Sequence, residues 1–183
     1  MNERTPLLVL GLGNVLLEDD GAGAAAVSLL LERFAPPDGV HVCDGGTLGL
    51  SLLPYLQDAD AVILVDAVRA DGAPGTLVRL DGDDVAPAVA TRLSPHQVGV
   101  ADLLDGARWL GHYPARVVLL GLVPASIELG VGLSPLVRAS LSQLVEQIVV
   151  EAESLGFTFH AREPEAAAHR DRALDVARLV GSV

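Results

Sequence analysis

Two aspartates and one histidine stand where an α/β chain could gather ligands. Asp20 closes the run Glu18-Asp19-Asp20, between the glycine turn "GLGN" and the small-residue stretch "GAGAAA". Asp66 lies near the end of the apolar run "AVILVDAV", and His96 follows Ser94-Pro95 in "LSPHQVG". Each follows a strand-like run or opens a helix-like one, so a parallel sheet could bring all three to one edge. Two carboxylates and an imidazole suit a borderline divalent ion such as Zn²⁺ or Ni²⁺. Three protein donors also leave coordination positions open for water or for a group that a substrate brings. In the first turn of a helix, His96 would face the positive end of the dipole, which favours the neutral, metal-binding imidazole. Each residue also has an ordinary reading: carboxylates cap helices, an aspartate after a strand starts a turn, and a histidine at a helix start can be a surface cap. The spacing carries none of the specificity of a zinc ribbon or an H-E-x-x-H helix.

The glycine turn does not read as a nucleotide site. A dinucleotide fingerprint needs G-x-G-x-x-G between strand and helix; Gly11 and Gly13 fit, but Leu16 holds the third position. Glu18, Asp19 and Asp20 would repel a phosphate and compete for the helix N-terminus. Nor is there a clear covalent nucleophile. Gly49-Leu50-Ser51 does not continue as a G-x-S-x-G elbow, since Leu53 takes the last place. Cys43 sits in a strand-like run and reads as a small buried hydrophobe. His41, His112, His160 and His169 have no acidic or nucleophilic partner nearby in sequence. What remains is water activated by a carboxylate or a metal.

The elements that must position these residues alternate along the chain. Strand-like runs occur at Leu7–Gly13, Val40–Asp44, Ala61–Val68, Gly75–Leu80 and Ala115–Val123. Three are almost continuously apolar, as in strands covered on both faces; "GTLVRL" is more amphipathic and reads as an edge strand, antiparallel to its neighbour. Helical patterns fill Gly21–Phe34, Leu48–Leu56, Gln97–Leu110 and Ser134–Gly156. The last has Ser134 as N-cap, Pro135 at the first helical position and Gly156 as its stop. Strands alternating with helices predict a parallel sheet with both faces covered.

The 183 residues suit one domain with a sizeable core, residues 1–159, followed by an Arg- and Ala-rich tail, 160–183, expected to be helical or partly disordered. Half the residues are hydrophobic but only 3% aromatic, so the core must be aliphatic. The net charge is −12 and lysine is absent, which disfavours nucleic acid as a partner. One cysteine excludes an internal disulfide and suits the cytoplasm. No segment reads as a signal peptide or a membrane span.

Five motifs in order, "GLGNVLLEDDGAG", "DGGTLGLSLL", "VILVDAV", "APGTLVRL" and "SPHQVGVADLL", resemble those of the [NiFe]-hydrogenase maturation endopeptidases. The resemblance covers roughly Leu7 to Gly156. It implies an α/β fold: a three-layer α/β/α sandwich around a twisted, mostly parallel five-stranded sheet, phosphorylase/hydrolase-like. It implies removal of a C-terminal extension from the precursor of the hydrogenase large subunit after nickel insertion, with nickel carried by the substrate and no nucleotide involved. The family's functional positions fall on Asp20, Asp66 and His96 as metal contacts, with Asp20 and Asp66 as catalytic carboxylates. Members carry Glu or Asp at the first of these, and here it is Asp. Gly45, Gly46 and Thr47 would line the substrate cleft, glycine permitting close approach by a peptide backbone. The catalytic class, aspartic or metallo, stays open. Rival readings are a nickel-sensing chaperone that binds the same precursor without cutting it and a different peptidase on the same architecture.

Overall fold

The structure is a computed structural model and describes residues 5–90 and 96–163. In chain order its elements are β1 (Thr5–Leu12), a 3₁₀ turn (Glu18–Gly21), α1 (Ala22–Arg33), β2 (Phe34–Ala35), β3 (Val40–Gly46), a 3₁₀ turn (Gly49–Leu52) running into α2 (Leu53–Gln57), and β4 (Ala59–Ala67). There follow β5 (Leu77–Asp81), a 3₁₀ turn (Gly82–Asp84), α3 (Val85–Ala90), α4 (His96–Trp109), β6 (Arg116–Leu122), α5 (Pro135–Ser154) and β7 (His160–Ala161). All five expected strands are present. The region expected as one short helix is a 3₁₀ turn followed by a turn and a half of α-helix, because Pro54 permits a helix start and not a long continuation backwards.

Five strands form one sheet in the order β3-β1-β4-β6-β5. The first four are mutually parallel, and β5 pairs antiparallel with β6, from Leu77 opposite Leu122 to Asp81 opposite Val118. The amphipathic "GTLVRL" run is therefore an antiparallel edge, as its alternation indicated. Its Arg79 reaches across to α5, where Nε donates to Oε2 of the buried Glu151 at 2.7 Å and a second nitrogen to Oε1 at 2.9 Å. This bidentate pair raises the Arg79 pKa further and fixes the edge strand to the helix layer.

Pleating divides the core cleanly. Leu7 and Val9 of β1, Ile63 and Val65 of β4, and Leu120 and Leu122 of β6 pack with α1 and α5. Leu8, Leu10, Val62, Leu64, Val117 and Leu119 face α2, α4 and Val85 of α3. The result is the α/β/α sandwich, with an aliphatic core on each face. Close packing of α1 onto the sheet depends on Gly23, where a Cβ would overlap the carbonyl oxygens of Leu12 and Val65. Helix α5 starts and stops as expected: Ser134 Oγ accepts the Val137 N–H at 3.4 Å, Pro135 is the first helical residue, and Gly156 turns the chain at φ 91°.

Past Phe159 the chain stays on the domain for several residues. β7 pairs with β2, and Arg162 donates from its backbone to the Arg33 carbonyl at 2.7 Å and from Nε to the carbonyls of Leu31 and Phe34 at 2.9 and 3.0 Å. These are oxygens at the C-terminal end of α1, where a helix lacks internal donors and favours a cation. Residues 164–183, including His169, lie outside the described part of the chain. Among the described residues no helix is long and apolar enough to cross a membrane.

Candidate active site

The strand order reverses direction at the centre of the sheet. From β1 the chain crosses to β3 on one side, and from β4 it proceeds to β6 on the other, so the crevice between the carboxyl ends of β1 and β4 is a topological switch point. Open α/β sheets bind ligands in such crevices. Asp20 and Asp66 both lie at this end of the sheet. Gly11 of β1 is in register with Asp44 of β3 and with Val65 of β4, which puts Asp44 and Asp66 on either side of the glycine turn.

Gly13 is the hinge of this arrangement. Its φ is 120°, a conformation that side-chain-bearing residues rarely adopt, and a Cβ there would run into the backbone carbonyl of Asp20. The same Cβ position lies 3.7 Å from Oδ1 of Asp66. The missing side chain thus lets the turn carrying Asp20 close over the end of β1 and against Asp66. Both aspartates are almost wholly buried, at 0% and 1% exposure. Asp20 Oδ2 accepts the N–H of Asn14 at 2.8 Å, and Asp66 Oδ1 accepts that of Ala67 at the same distance. By pleat alternation Asp66 follows Val62 and Leu64 onto the face of α4. His96 is the first residue of α4, while its side chain, with Ser94 and Pro95, lies outside the described residues. Among those that are described, no three His, Cys, Asp or Glu side chains gather as a metal site.

The three neighbouring carboxylates divide their work in a way the sequence did not reveal. Helix α1 starts from Gly21, which has no side chain to cap it. Asp19 points instead to the loop between β6 and α5: Oδ2 accepts the N–H groups of Ala125 and Ser126 at 2.8 and 3.3 Å, and Oδ1 accepts that of Ser134 at 2.6 Å. With no exposed surface, it is a structural carboxylate replacing the water those amides would otherwise need. Glu18 is the one side-chain-bearing residue among those described with a positive φ, 45°, and it packs on Gly130. The only sequence signal for this was a surplus of acidic residues over what one helix cap requires.

The expected cleft residues occupy the exit of β3. Gly45 is buried, with a Cβ position 2.7 Å from Leu10 Cδ1, so a side chain there would have to displace the Leu10 methyl; Gly46, at φ 48°, accepts the Gly13 N–H at 3.1 Å, and Thr47 is exposed. A cleft of about 360 Å³ opens on the α1 side of the acidic turn, and its wall includes Glu18 and Asp44. Cys43 is no nucleophile: burial, with Asp44 beside it, pushes the thiol up to about 11, so it stays protonated at neutral pH. His41, His112 and His160 are exposed.

With this geometry in hand, similarity to known proteins decides the family. Residues 24–151 match the HycI family, hydrogenase maturation protease. The chain belongs to this family of proteases. It is 38% identical over 158 residues to the hydrogenase 2 maturation protease of Escherichia coli K12, covering 86% of this chain and 96% of that one. It is 40% identical over 152 residues to the hydrogenase expression/formation protein HupD of Rhodobacter capsulatus, covering 82% and 72%. In structure it resembles the hydrogenase maturating endopeptidase HybD from E. coli, with a TM-score of 0.82 and 37% identity over 86% of this chain and 98% of that one. The family match includes Asp66 and the start of α4, and the acidic turn lies just before it.

Proposed function

We propose that this protease is an endopeptidase that removes the C-terminal extension from the precursor of a [NiFe]-hydrogenase large subunit once nickel is in place there, working in the cytoplasm. The observation that supports this reading is the burial of Asp20 and Asp66 beside Gly13 at the switch point of the sheet, where the Asp20 backbone and an Asp66 carboxylate oxygen both border the space a side chain would take. It occurs in a chain whose likeness to a hydrogenase maturation protease runs almost end to end.

Asp20, Asp66 and His96 contact the nickel carried by the precursor, so only a metal-loaded substrate is held in register. Hard carboxylate oxygens with one imidazole suit such an ion, and the enclosed setting strengthens their attraction to it. One of the two carboxylates accepts a proton from water as its oxygen attacks the scissile carbonyl carbon. The proton then passes to the departing amide nitrogen as the C–N bond breaks. Gly46 and Thr47, exposed to differing degrees at the exit of β3, flank the approaching backbone. No nucleotide takes part: the glycine turn is filled by the backbone of its own acidic turn.

The test is intact mass spectrometry of the precursor incubated with this protein, with and without nickel in the precursor. The expected result is loss of a C-terminal peptide from the nickel-loaded form alone, and its absence with Asp20→Asn, Asp66→Asn or His96→Ala. Removal of one member of a catalytic unit is expected to lower the rate by at least about a hundredfold. Cleavage of the nickel-free form would overturn metal gating. Stable binding with no mass change would favour the non-cleaving chaperone.

A further inference from the structure

The cleft on the α1 side of the acidic turn is separate from the two buried aspartates and is joined to them by the turn Glu18–Gly21. It has about 360 Å³ of space, near the small end of pockets that take a ligand, enough for a few amino-acid side chains. Val15, Glu18, Ala25, Asp44, Val131 and Leu133 are among its walls. The surface inside it is predominantly apolar, and its two charged side chains are both carboxylates. Around the rim, Val15, Leu16, Leu129 and Val131 are exposed by 54, 55, 86 and 86%. Four large aliphatic side chains this exposed in one place, gathered by the pairing of the acidic turn with Gly130, mark a contact surface.

The rim is also rigidly built. Leu17 bridges to Gly130, the Glu18 N–H donates to the Gly130 carbonyl at 3.0 Å, and the Gly130 N–H donates to the Leu16 carbonyl at 2.9 Å. Below them the Asp19 carboxylate ties the Ala125–Ser134 loop to the same turn. The exposed aliphatics are therefore held in position by the backbone that presents Asp20.

We propose that this cleft docks a segment of the precursor that carries an aliphatic side chain beside a cationic one, the aliphatic group against Val15 and Val131 and the cation between Glu18 and Asp44. The inference rests on the proposed endopeptidase function. Charge identifies the occupant: the two charged side chains of the wall are carboxylates, which attract an Arg or Lys, the neighbouring Arg138 guanidinium being engaged by the Leu133 carbonyl, and a second copy of this chain, with net charge −12, would meet the cleft with like charge. Docking here places the bound segment alongside the acidic turn and leaves the chain free to continue towards Asp20 and Asp66.

Steady-state processing of the nickel-loaded precursor by the full chain tests this, comparing wild type with Glu18→Gln, Val131→Ser and the double variant. The expected result is a rise in KM of roughly five- to tenfold for each single variant with kcat within about twofold of wild type, the pattern of lost ground-state binding. Unchanged KM in both single variants, or an effect confined to kcat, overturns the proposal. Val131 is exposed and Glu18→Gln keeps the size of a half-buried side chain, so melting temperatures are expected to stay near wild type, and Asp44→Asn replaces Glu18→Gln should the latter unfold. If wild type binds the precursor but does not cut it, the endopeptidase reading fails by itself. Biolayer interferometry on the immobilised precursor then reads docking directly, with the same weakening expected and equal affinities overturning it.

Discussion

Among residues, the acidic turn shows how identical side chains acquire different duties through their hydrogen bonds. Asp20 turns back to the Asn14 N–H, while Asp19 gives both oxygens to backbone amides of a distant loop. Substitution should separate the two. Asp20→Asn is expected to keep the fold and lose processing. Asp19→Asn puts an amide donor against the N–H groups of Ala125, Ser126 or Ser134, so a buried charge-assisted acceptor becomes a clash. That variant is expected to lose about 2–4 kcal/mol of stability, or a melting point lower by roughly 5–15 °C, read by thermal denaturation. A change below about 0.5 kcal/mol would mean that the loop is held without Asp19. Sequence shows three carboxylates in a row; the partners of Asp19 lie more than a hundred positions away, beyond the reach of any local pattern.

At the scale of elements, the runs that alternate or cap in sequence became the elements they predicted. "GTLVRL" is the antiparallel edge strand, and Ser134, Pro135 and Gly156 bound α5. The two-residue strands β2 and β7 had no signature, because their stability comes from pairing with each other and from Arg162 on the end of α1. A chain ending at Glu163 is therefore expected to melt above one ending at Phe159 by a difference of about 1–3 kcal/mol, measured by urea denaturation of the two truncated proteins. Equal midpoints would show that the α1 terminus is satisfied without this strap. The buried Glu151 was likewise illegible: in sequence it is one more charge on a helix, and only its Arg79 partner on the edge strand makes its burial tolerable.

For the molecule as a whole, net charge sets the terms of association. At −12, with two carboxylates in the wall of the cleft, the protein is expected to attract a precursor segment that carries positive charge. Processing at subsaturating precursor should then fall several-fold between low and near-molar salt, with little change at saturation, as screening shortens the Debye length from about 30 to 3 Å. A salt-independent rate would place the recognition energy in apolar contacts alone. The whole fold also explains why the site stands where it does: one central strand, β1, receives neighbours from both directions, and its glycine turn opens into the crevice between them.

By itself the sequence determined the layer architecture, the parallel sheet with its odd edge and the identity of the candidate ligands. These depend on local periodicity and on residue types that short motifs preserve. Only the tertiary structure decided that Gly13 is what allows the acidic turn to close over the end of β1 beside Asp66, that Asp19 belongs to the scaffold, and that an acidic, aliphatic-rimmed cleft lies beside the turn. The reason is physical: each of those depends on distances between segments far apart in the chain, and such distances are fixed by packing two helix layers onto one sheet.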